Sequence, residues 1–340
     1  MQIIDLVPDL QAVILAAREQ RDARNTLAQF LPNVNVQDVS YRLGRAQRLD
    51  QTVPVRALDA PATPIRRPGV LDVKGDLPAI TPIEYLTEDD LTRARRLAGV
   101  NVDLAPSVAT GAKRVALAVD NTFEMMRGQA LATGVVSLQL EDGNVRPVDF
   151  GVPNGQKFGP GTVAFNAAGY AGDPFAELEG WHSAYLNAAG TYAGVMLTST
   201  RLVSILGTFL RNKYPNQPIG IATVAGELAL RNLPPIATYD RTMTDAAGVR
   251  RRVYPEGSVT FLPAADAPIG RTELGITQES VQQVQGNVLT AAQAPGLTIV
   301  TLGQDNPVQR AVKGAAIGMP VIQDTDAIVC VSGLISGAAA

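Results

Sequence analysis

The chain has 340 residues, is 46% apolar and carries a formal net charge of −3, so it can bury a sizeable core but is not built as a polycation for nucleic acid. Charged residues make up only 18%, below the roughly 25% of an ordinary globular protein, while Gly (31) and Pro (23) are plentiful. The single cysteine, Cys330, excludes an intrachain disulfide and suits a reducing compartment, and no apolar run approaches the roughly 20 residues needed to span a bilayer. The first residues lack the basic segment and small-residue cleavage site of a signal peptide, so synthesis and folding in cytoplasm are expected. Length suggests about two domains. Low charge with many turn-formers implies surface covered by something other than water, and subunit contact is one way to cover it.

In chain order, Leu10, Val13, Ile14 and Ala17 recur at helical spacing and predict a helix over 8–22, with Pro8 near its start. A short helix over 24–31 would end at Pro32. Arg18, Arg21, Arg24, Arg42, Arg45, Arg48, Arg56, Arg66 and Arg67 crowd this end of the chain. They read either as a solvated surface with a few ion pairs or as an arm that meets acidic neighbours or packaged nucleic acid. Residues 51–82 are punctuated by prolines at 54, 61, 64, 68, 78 and 82, which forbid a helix. Within them "VPVRALDA" and "GVLDVKGDLPAI" alternate as an exposed two-stranded ribbon would. Such a ribbon buries no core of its own and needs something to lie on.

"TEDDLTRARRLAG" (87–99) has an N-cap candidate in Thr87, acids in the first turn and basic residues later. The longest predicted helix covers 105–133. Val108, Val115, Val119, Phe123, Met126 and Ala130 form its apolar stripe, with Ser107 as a cap and Gly134 as a left-handed stop. A helix of about 25 residues would run roughly 38 Å, long for a globular domain. "VVSLQLEDGNVRPVDFG" then alternates on both sides of Asp142-Gly143, a two-residue hairpin signal. Residues 151–172 are Gly-rich and read as a loop. From Asp173 the texture becomes α/β. A helix over 173–189 precedes the strand "YAGVMLTS" and the helix "TSTRLVSILGTFLRNKY", with a further helix over 221–231. A β-rich stretch with a hairpin tip at "DAAG" follows. Two β-like runs close the chain, separated by Asp324-Thr325-Asp326.

Little in this chain resembles an active site. His182 is the only histidine, which excludes a two-His metal site; it sits beside Trp181 in a predicted amphipathic helix and reads as structural. Cys330 in "DAIVCVSG" reads as a buried, inert thiol. "GVPNGQKFGPG" lacks the Gly-Lys-Ser/Thr ending of a phosphate loop. Glu88, Asp89 and Asp90 read as first-turn helix acids, Met125-Met126 as core or interface, and Arg250–Arg252 as a solvated strand edge that discourages wrong pairing. No catalytic, cofactor-binding or metal-binding residues are assigned, and no cofactor is expected.

What remains is a set of blocks in a fixed order. "LAQFLPNVNVQDVSY", "ALATGVVSLQLEDGNVRPVDFG", "VMLTSTRLVSILGTF", "YPEGSVTFLPA", "IGRTELGI" and "DNPVQRAVKGAAIGMPVIQDTDAIVCVSG" together resemble the capsid protein E (lambda-like) family of tailed-bacteriophage major capsid proteins. Each block is degenerate alone; their order and spacing over nearly the whole chain are specific. The chain has Asp305-Asn306-Pro307 where Asp-Pro is commoner, and Thr325-Asp326 where Pro-Asp is common; both keep a turn-forming sequence.

The resemblance implies an α+β chain of the Hong Kong 97-type capsid fold. Residues 1–50 would be the N-terminal arm and 51–82 the extended E-loop. Residues 83–172 would form most of the peripheral domain, with the spine helix at about 105–133 and the hairpin at 135–150. Residues 173–303 would be the axial domain, and 304–340 would return to the peripheral domain. It implies a non-enzymatic structural protein of the virion that self-assembles into hexamers and pentamers, tiling an icosahedral shell around double-stranded DNA. Assembly would take place in host cytoplasm, with no membrane. A scaffolding protein, a portal protein and a decoration protein are the further partners considered. Some relatives cross-link their shells through Lys and Asn; Lys74 is the one lysine near the ribbon, and cross-linking is not expected. An encapsulin-like nanocompartment of the same fold is the alternative reading, and an α/β enzyme a third.

Overall fold

A computed structural model describes residues 2–3, 15–19, 21–46, 70–89, 92, 96, 105–139, 144–159, 164–245, 248–264, 266–286, 289–305 and 308–337. Most of the helices expected over 8–22 and 87–99, and the "VPVRALDA" half of the expected ribbon, lie outside these residues. The chain opens with β1 (Gln2–Ile3), β2 (Asn33–Asn35), β3 (Ser40–Ala46), β4 (Val70–Asp76), β5 (Ala79–Ile80) and β6 (Ile83–Leu86). The long helix α1 (Ala105–Thr133) follows, then β7 (Val135–Gln139), β8 (Val145–Asp149) and β9 (Lys157–Phe158). Next come α2 (Pro174–Ala189), β10 (Val195–Thr198), α3 (Thr200–Lys213), α4 (Ile221–Leu230), β11 (Ile236–Thr238), β12 (Thr242–Thr244), β13 (Arg250–Arg252) and β14 (Val259–Leu262). The chain closes with β15 (Gly270–Leu274), α5 (Gln278–Gln285), β16 (Thr298–Asp305), β17 (Val308–Ile322) and β18 (Val329–Val331).

Two sheets organise these elements. The seven-stranded sheet runs β1-β16-β17-β15-β2, with β5 and β6 also paired to β17. The 15-residue β17 is its axis: Val308–Ala315 pair with β16, and Gly318–Ile322 pair with β15. α1 lies on this sheet because its stripe of Val108, Ala112, Val115, Val119 and Phe123 packs against Leu274, Ile299, Val312 and Ala316. The five-stranded sheet runs β11-β10-β14-β18-β9 and is mixed, with β10–β11 and β18–β9 parallel.

Strand alternation gives the five-stranded sheet two apolar faces. Met196, Phe261, Val329 and Val331 meet Phe175, Leu178 and Trp181 of α2, Leu202 and Leu206 of α3, and Val224 and Leu228 of α4. Leu197, Leu262 and Cys330 turn the other way, into the core that holds Ala130 and Leu131 at the end of α1. α1 therefore joins the two sheets, one along its length and one at its C-terminal end.

Local chemistry explains most boundaries. Gly134 stops α1 at φ +71° with its N–H on the Ala130 carbonyl, as a left-handed cap should. Asp173 caps α2 by accepting from the Phe175 N–H at 2.9 Å, and Ser199 caps α3 through the Leu202 N–H. Ser107 is not a cap, because α1 begins two residues earlier, at Ala105. The short helix expected over 24–31 is only a 3-10 turn at Leu27–Gln29. It does not propagate because the Leu27 N–H is taken by the Glu124 side chain and Phe30 and Leu31 are drawn into the core.

The ribbon also differs from expectation at its first strand. β4 does pair, but its partner is "SYRLGRA" at 40–46, upstream of the expected boundary at 51, with Ser40 opposite Asp76 and Ala46 opposite Val70. The alternation in 51–58 masked this earlier strand. Sheet membership also cuts across the expected spans. β15 and β16, inside 173–303, pair with β17, while β18, inside 304–340, pairs with β14. Such long-range pairings leave no local mark in sequence.

Candidate assembly site

The residues with chemical potential are kept apart by the fold. His182 is buried on α2, stacked on Phe261 with ring centroids 5.7 Å apart, and its Nε2 accepts the Ala193 N–H at 3.3 Å. Cys330 lies against the opposite face of the same sheet, its Sγ 3.5 Å from the Leu131 carbonyl oxygen. Burial pushes the Cys330 thiol up to about 12, so it stays protonated and unreactive. A Cys–His pair is thus sterically impossible. Among the described residues no group of three or more His, Cys, Asp or Glu is placed to hold a metal ion, and no helix is long and apolar enough to cross a membrane.

The Gly-rich segment at 151–159 performs a structural task. Buried Gln156 donates from Nε2 to the carbonyls of Thr325, Asp326 and Ile328 at 3.1, 3.1 and 2.8 Å. It thereby fastens the turn between β17 and β18, where the Asp324 carboxylate accepts the N–H groups of Asp326 and Ala327. Glu88 and Asp89 are exposed, and Asp90 lies outside the described residues. Met125 and Met126 are half-buried and pack against the core.

Burial lowers the proton affinity of His182. The folded state then binds fewer protons than the unfolded chain, so stability rises with pH. Its contribution is complete above the ordinary histidine value near 6.5 and is lost as pH falls through the depressed folded value. Thermal unfolding between pH 7 and 5 should show this loss, limited to about 1.4 kcal/mol per pH unit. His182→Gln should flatten that part of the slope; an unchanged slope would assign the dependence to other groups.

Residues 21–27 are attached to α1 through polar joints. The α1 carboxylate of Asp120 accepts the Asp22 N–H at 3.2 Å and Asn25 Nδ2 at 2.6 Å, with Arg21 Nε at 3.7 Å. Arg241, just before β12, donates to Asp22 at 2.7 Å and to Asn121 at 3.0 Å, and also bonds Asn25. Bonds from Arg24, helped by the charge of Arg241, hold the Asp22 carboxyl well below the usual carboxylate range. Below this lies a buried pair. Arg127 and Glu124, both 0% exposed, meet at 3.0 Å. Glu124 also accepts the Leu27 N–H and the Tyr239 hydroxyl, each at 2.9 Å, while Arg127 reaches Thr272 Oγ1 at 3.0 Å and Asn33 Oδ1 at 2.5 Å. Burial beside the Glu124 carboxylate raises the Tyr239 phenol above its ordinary value. One network thus joins the segment around Leu27, the long helix, β15 and β2, and Tyr239 just after β11.

The ribbon stem is fixed differently. Tyr41 and Leu77 sit in the main core, and the Tyr41 ring covers Gly75 directly across the β3–β4 ladder. Beyond that stem the ribbon pairs with neither large sheet. The Arg250–Arg252 strand forms a second two-stranded ribbon with β12, anchored by Met243 and Val253 in the main core. Arg251 is paired to Asp245 at 2.6 Å, and Arg252 to Asp240 at 3.1 Å and to Glu256. Of the N-terminal arginines, Arg18 donates to the carbonyls of Gln293 and Pro295, and Arg24 pairs with Asp22. The side chains of Arg42, Arg45, Arg48, Arg56, Arg66 and Arg67 lie outside the described residues.

Sequence reasoning missed Glu124, Arg127, Tyr239, Arg241 and Thr272. A signal existed for one of them: Arg127 falls on the same helical face as Phe123 and Ala130, a charge inside an apolar stripe.

A long helix lying on one sheet, a second sheet at its end and two-stranded ribbons paired to neither large sheet form the framework on which comparison rests. The solved protein assigned as a prophage capsid protein of Escherichia coli CFT073 superposes with a TM-score of 0.63 at 14% identity, covering 98% of this chain and 100% of that one. A phage-related protein of Bordetella bronchiseptica RB50 gives 0.56 at 15% identity, covering 98% of each. The capsid of a native GTA particle gives 0.51 at 14%, covering 94% of this chain and 93% of that one. No curated protein matches the sequence. These likenesses establish the Hong Kong 97-type capsid fold. The family model for phage major capsid protein E matches residues 15–331, and the chain therefore belongs to that family of shell-building proteins.

Proposed function

We propose that many copies of this chain form hexamers and pentamers that close into an icosahedral phage head around double-stranded DNA. Membership of the capsid family makes the role structural and places it in a virion shell built by self-association. The observation that carries the finer reading is the β3–β4 ribbon: two seven-residue strands that, among the described residues, pair with each other and with neither large sheet. A two-stranded ribbon is marginal alone and gains stability by docking elsewhere. In a shell the surface it docks on belongs to a neighbouring copy, and the contact would exceed about 2,000 Å², the scale of obligate assemblies.

In this reading the ribbon with its connecting residues is the E-loop. α1 and the seven-stranded sheet are the peripheral domain, and the five-stranded sheet with α2–α4 is the axial domain. Separate cores support that division: one lies between α1 and the seven-stranded sheet, and one between the five-stranded sheet and α2–α4. A separate scaffolding protein, a portal and possible decoration proteins complete the assembly, which takes place in host cytoplasm. No catalytic step is proposed, and Lys74, opposite Arg42 in the ribbon, is not assigned a cross-link.

The test is to replace residues 47–69 by a two-residue turn. The subunit should fold with an unchanged melting temperature yet fail to give stable shells by electron microscopy. Normal shells would sink the ribbon's role. Particles of the intact chain filled with protein cargo in place of DNA would favour a nanocompartment.

A further inference from the structure

The outer half of α4 is unusual for a soluble surface. Ile221, Ala222, Ala225, Gly226, Ala229 and Leu230 all face outward, with Ile221 74% and Leu230 82% exposed. Val224 and Leu228 fill the inner side, so this outer face is not surplus core but a second apolar surface on one helix. Contiguous exposed apolar surface of this kind marks an interaction site. Its border is acidic. Arg231, at the end of α4, is the guanidinium for three carboxylates: Glu227 at 3.0 Å, Glu179 at 3.0 Å and Asp173 at 3.3 Å. One cation against three anions leaves the border negative.

The β12–β13 ribbon offers one uncompensated cation to such a border. It carries three consecutive arginines and an exposed Val249 beside them. Arg251 is paired with Asp245, and Arg252 with Asp240 and Glu256. Arg250 is exposed, its Nε bonded only to the neutral Thr242 hydroxyl, and it has no carboxylate partner among the described residues.

We propose that the uncharged face of α4, with its acidic border, receives the β12–β13 ribbon of a second copy of this chain. Val249 lies on the apolar face and Arg250 reaches the carboxylates around Arg231. The two patches differ and are complementary, so the contact is heterologous: each copy gives its ribbon to one neighbour and its α4 face to the other. A two-fold contact of the α4 face with itself would set acid against acid and is disfavoured. This inference rests on the shell-building reading and names the surfaces by which copies meet within a ring.

Arg250→Glu and Leu230→Asp change exposed side chains and should leave the subunit's melting temperature unchanged. Each should lower particle yield, read by sedimentation and electron microscopy, by about tenfold or more under conditions where the unaltered chain assembles. Glu179→Arg should lose yield as well, and Arg250→Glu combined with Glu179→Arg should recover it. Particle yields equal to the unaltered chain for Arg250→Glu or Leu230→Asp would overturn the proposal, as would a double variant no better than Arg250→Glu alone. Failure of the unaltered chain to form particles under any condition would overturn the shell reading itself.

Discussion

Replacing Arg127 by methionine is expected to cost the subunit about 3–5 kcal/mol, the range for breaking a buried ion pair by removing one partner. The cost has little to do with lost attraction. Methionine fills similar space, but it leaves the Glu124 carboxylate without its cation in a site with 0% exposure and takes the donor from buried Thr272 Oγ1. Glu124 keeps its bonds from the Leu27 N–H and the Tyr239 hydroxyl, which soften the penalty without neutralising the charge. Adding Glu124→Gln to Arg127→Met removes the stranded charge, so the double variant should be more stable than Arg127→Met alone. Urea unfolding of the isolated subunit measures both. A double variant as weak as the single one would show that packing volume, and not charge, holds this joint. Because Leu27 hangs from Glu124, its amide should also exchange faster with solvent in Arg127→Met.

How much of this was legible beforehand follows from the range of the forces involved. The length of α1, its glycine stop and the hairpin after it are set by neighbours within a few residues, and periodicity with capping chemistry revealed them. The caps at Asp173 and Ser199 are signals of the same short range. The partner of β4 was misjudged because "VPVRALDA" alternates as well as "SYRLGRA" does, and pairing is decided in space. The division of strands between two sheets is likewise invisible locally: β17 and β18 are separated by a short turn yet belong to different sheets. Of the surfaces proposed for contact between copies, the "GVLDVKGD" strand of the ribbon could be seen, whereas the outward face of α4 could not. Ile221 and Leu230 look like core residues in any sequence, and only the placement of Val224 and Leu228 against α3 shows which half is left outside.

Changing Gly128 to alanine should destabilise the subunit by about 1–3 kcal/mol, the usual cost of overpacking a tight site, although alanine is the better helix former. In an open helix the substitution would gain up to about 1 kcal/mol. At Gly128 a methyl carbon would stand 2.0 Å from the carbonyl oxygen of Val253. A backbone carbonyl cannot rotate aside as a side chain would. Val253 is held in turn, buried and with its N–H on the Arg241 carbonyl at 3.0 Å. Relief therefore means moving the segment after β13 away from α1, and Arg241 with it, which loosens the grip on Asp22 and Asn25. Gly180→Ala supplies the control. It lies within α2, with nothing inside 4 Å of the added carbon, and should raise stability by about 0.5–1 kcal/mol. Opposite shifts in the urea midpoint for the two alanines would establish that close approach of α1 to the Val253 backbone, and not helix propensity, sets the residue at 128. A gain at both positions would mean that the contact yields freely and that Asp22 and Asn25 are not held through it.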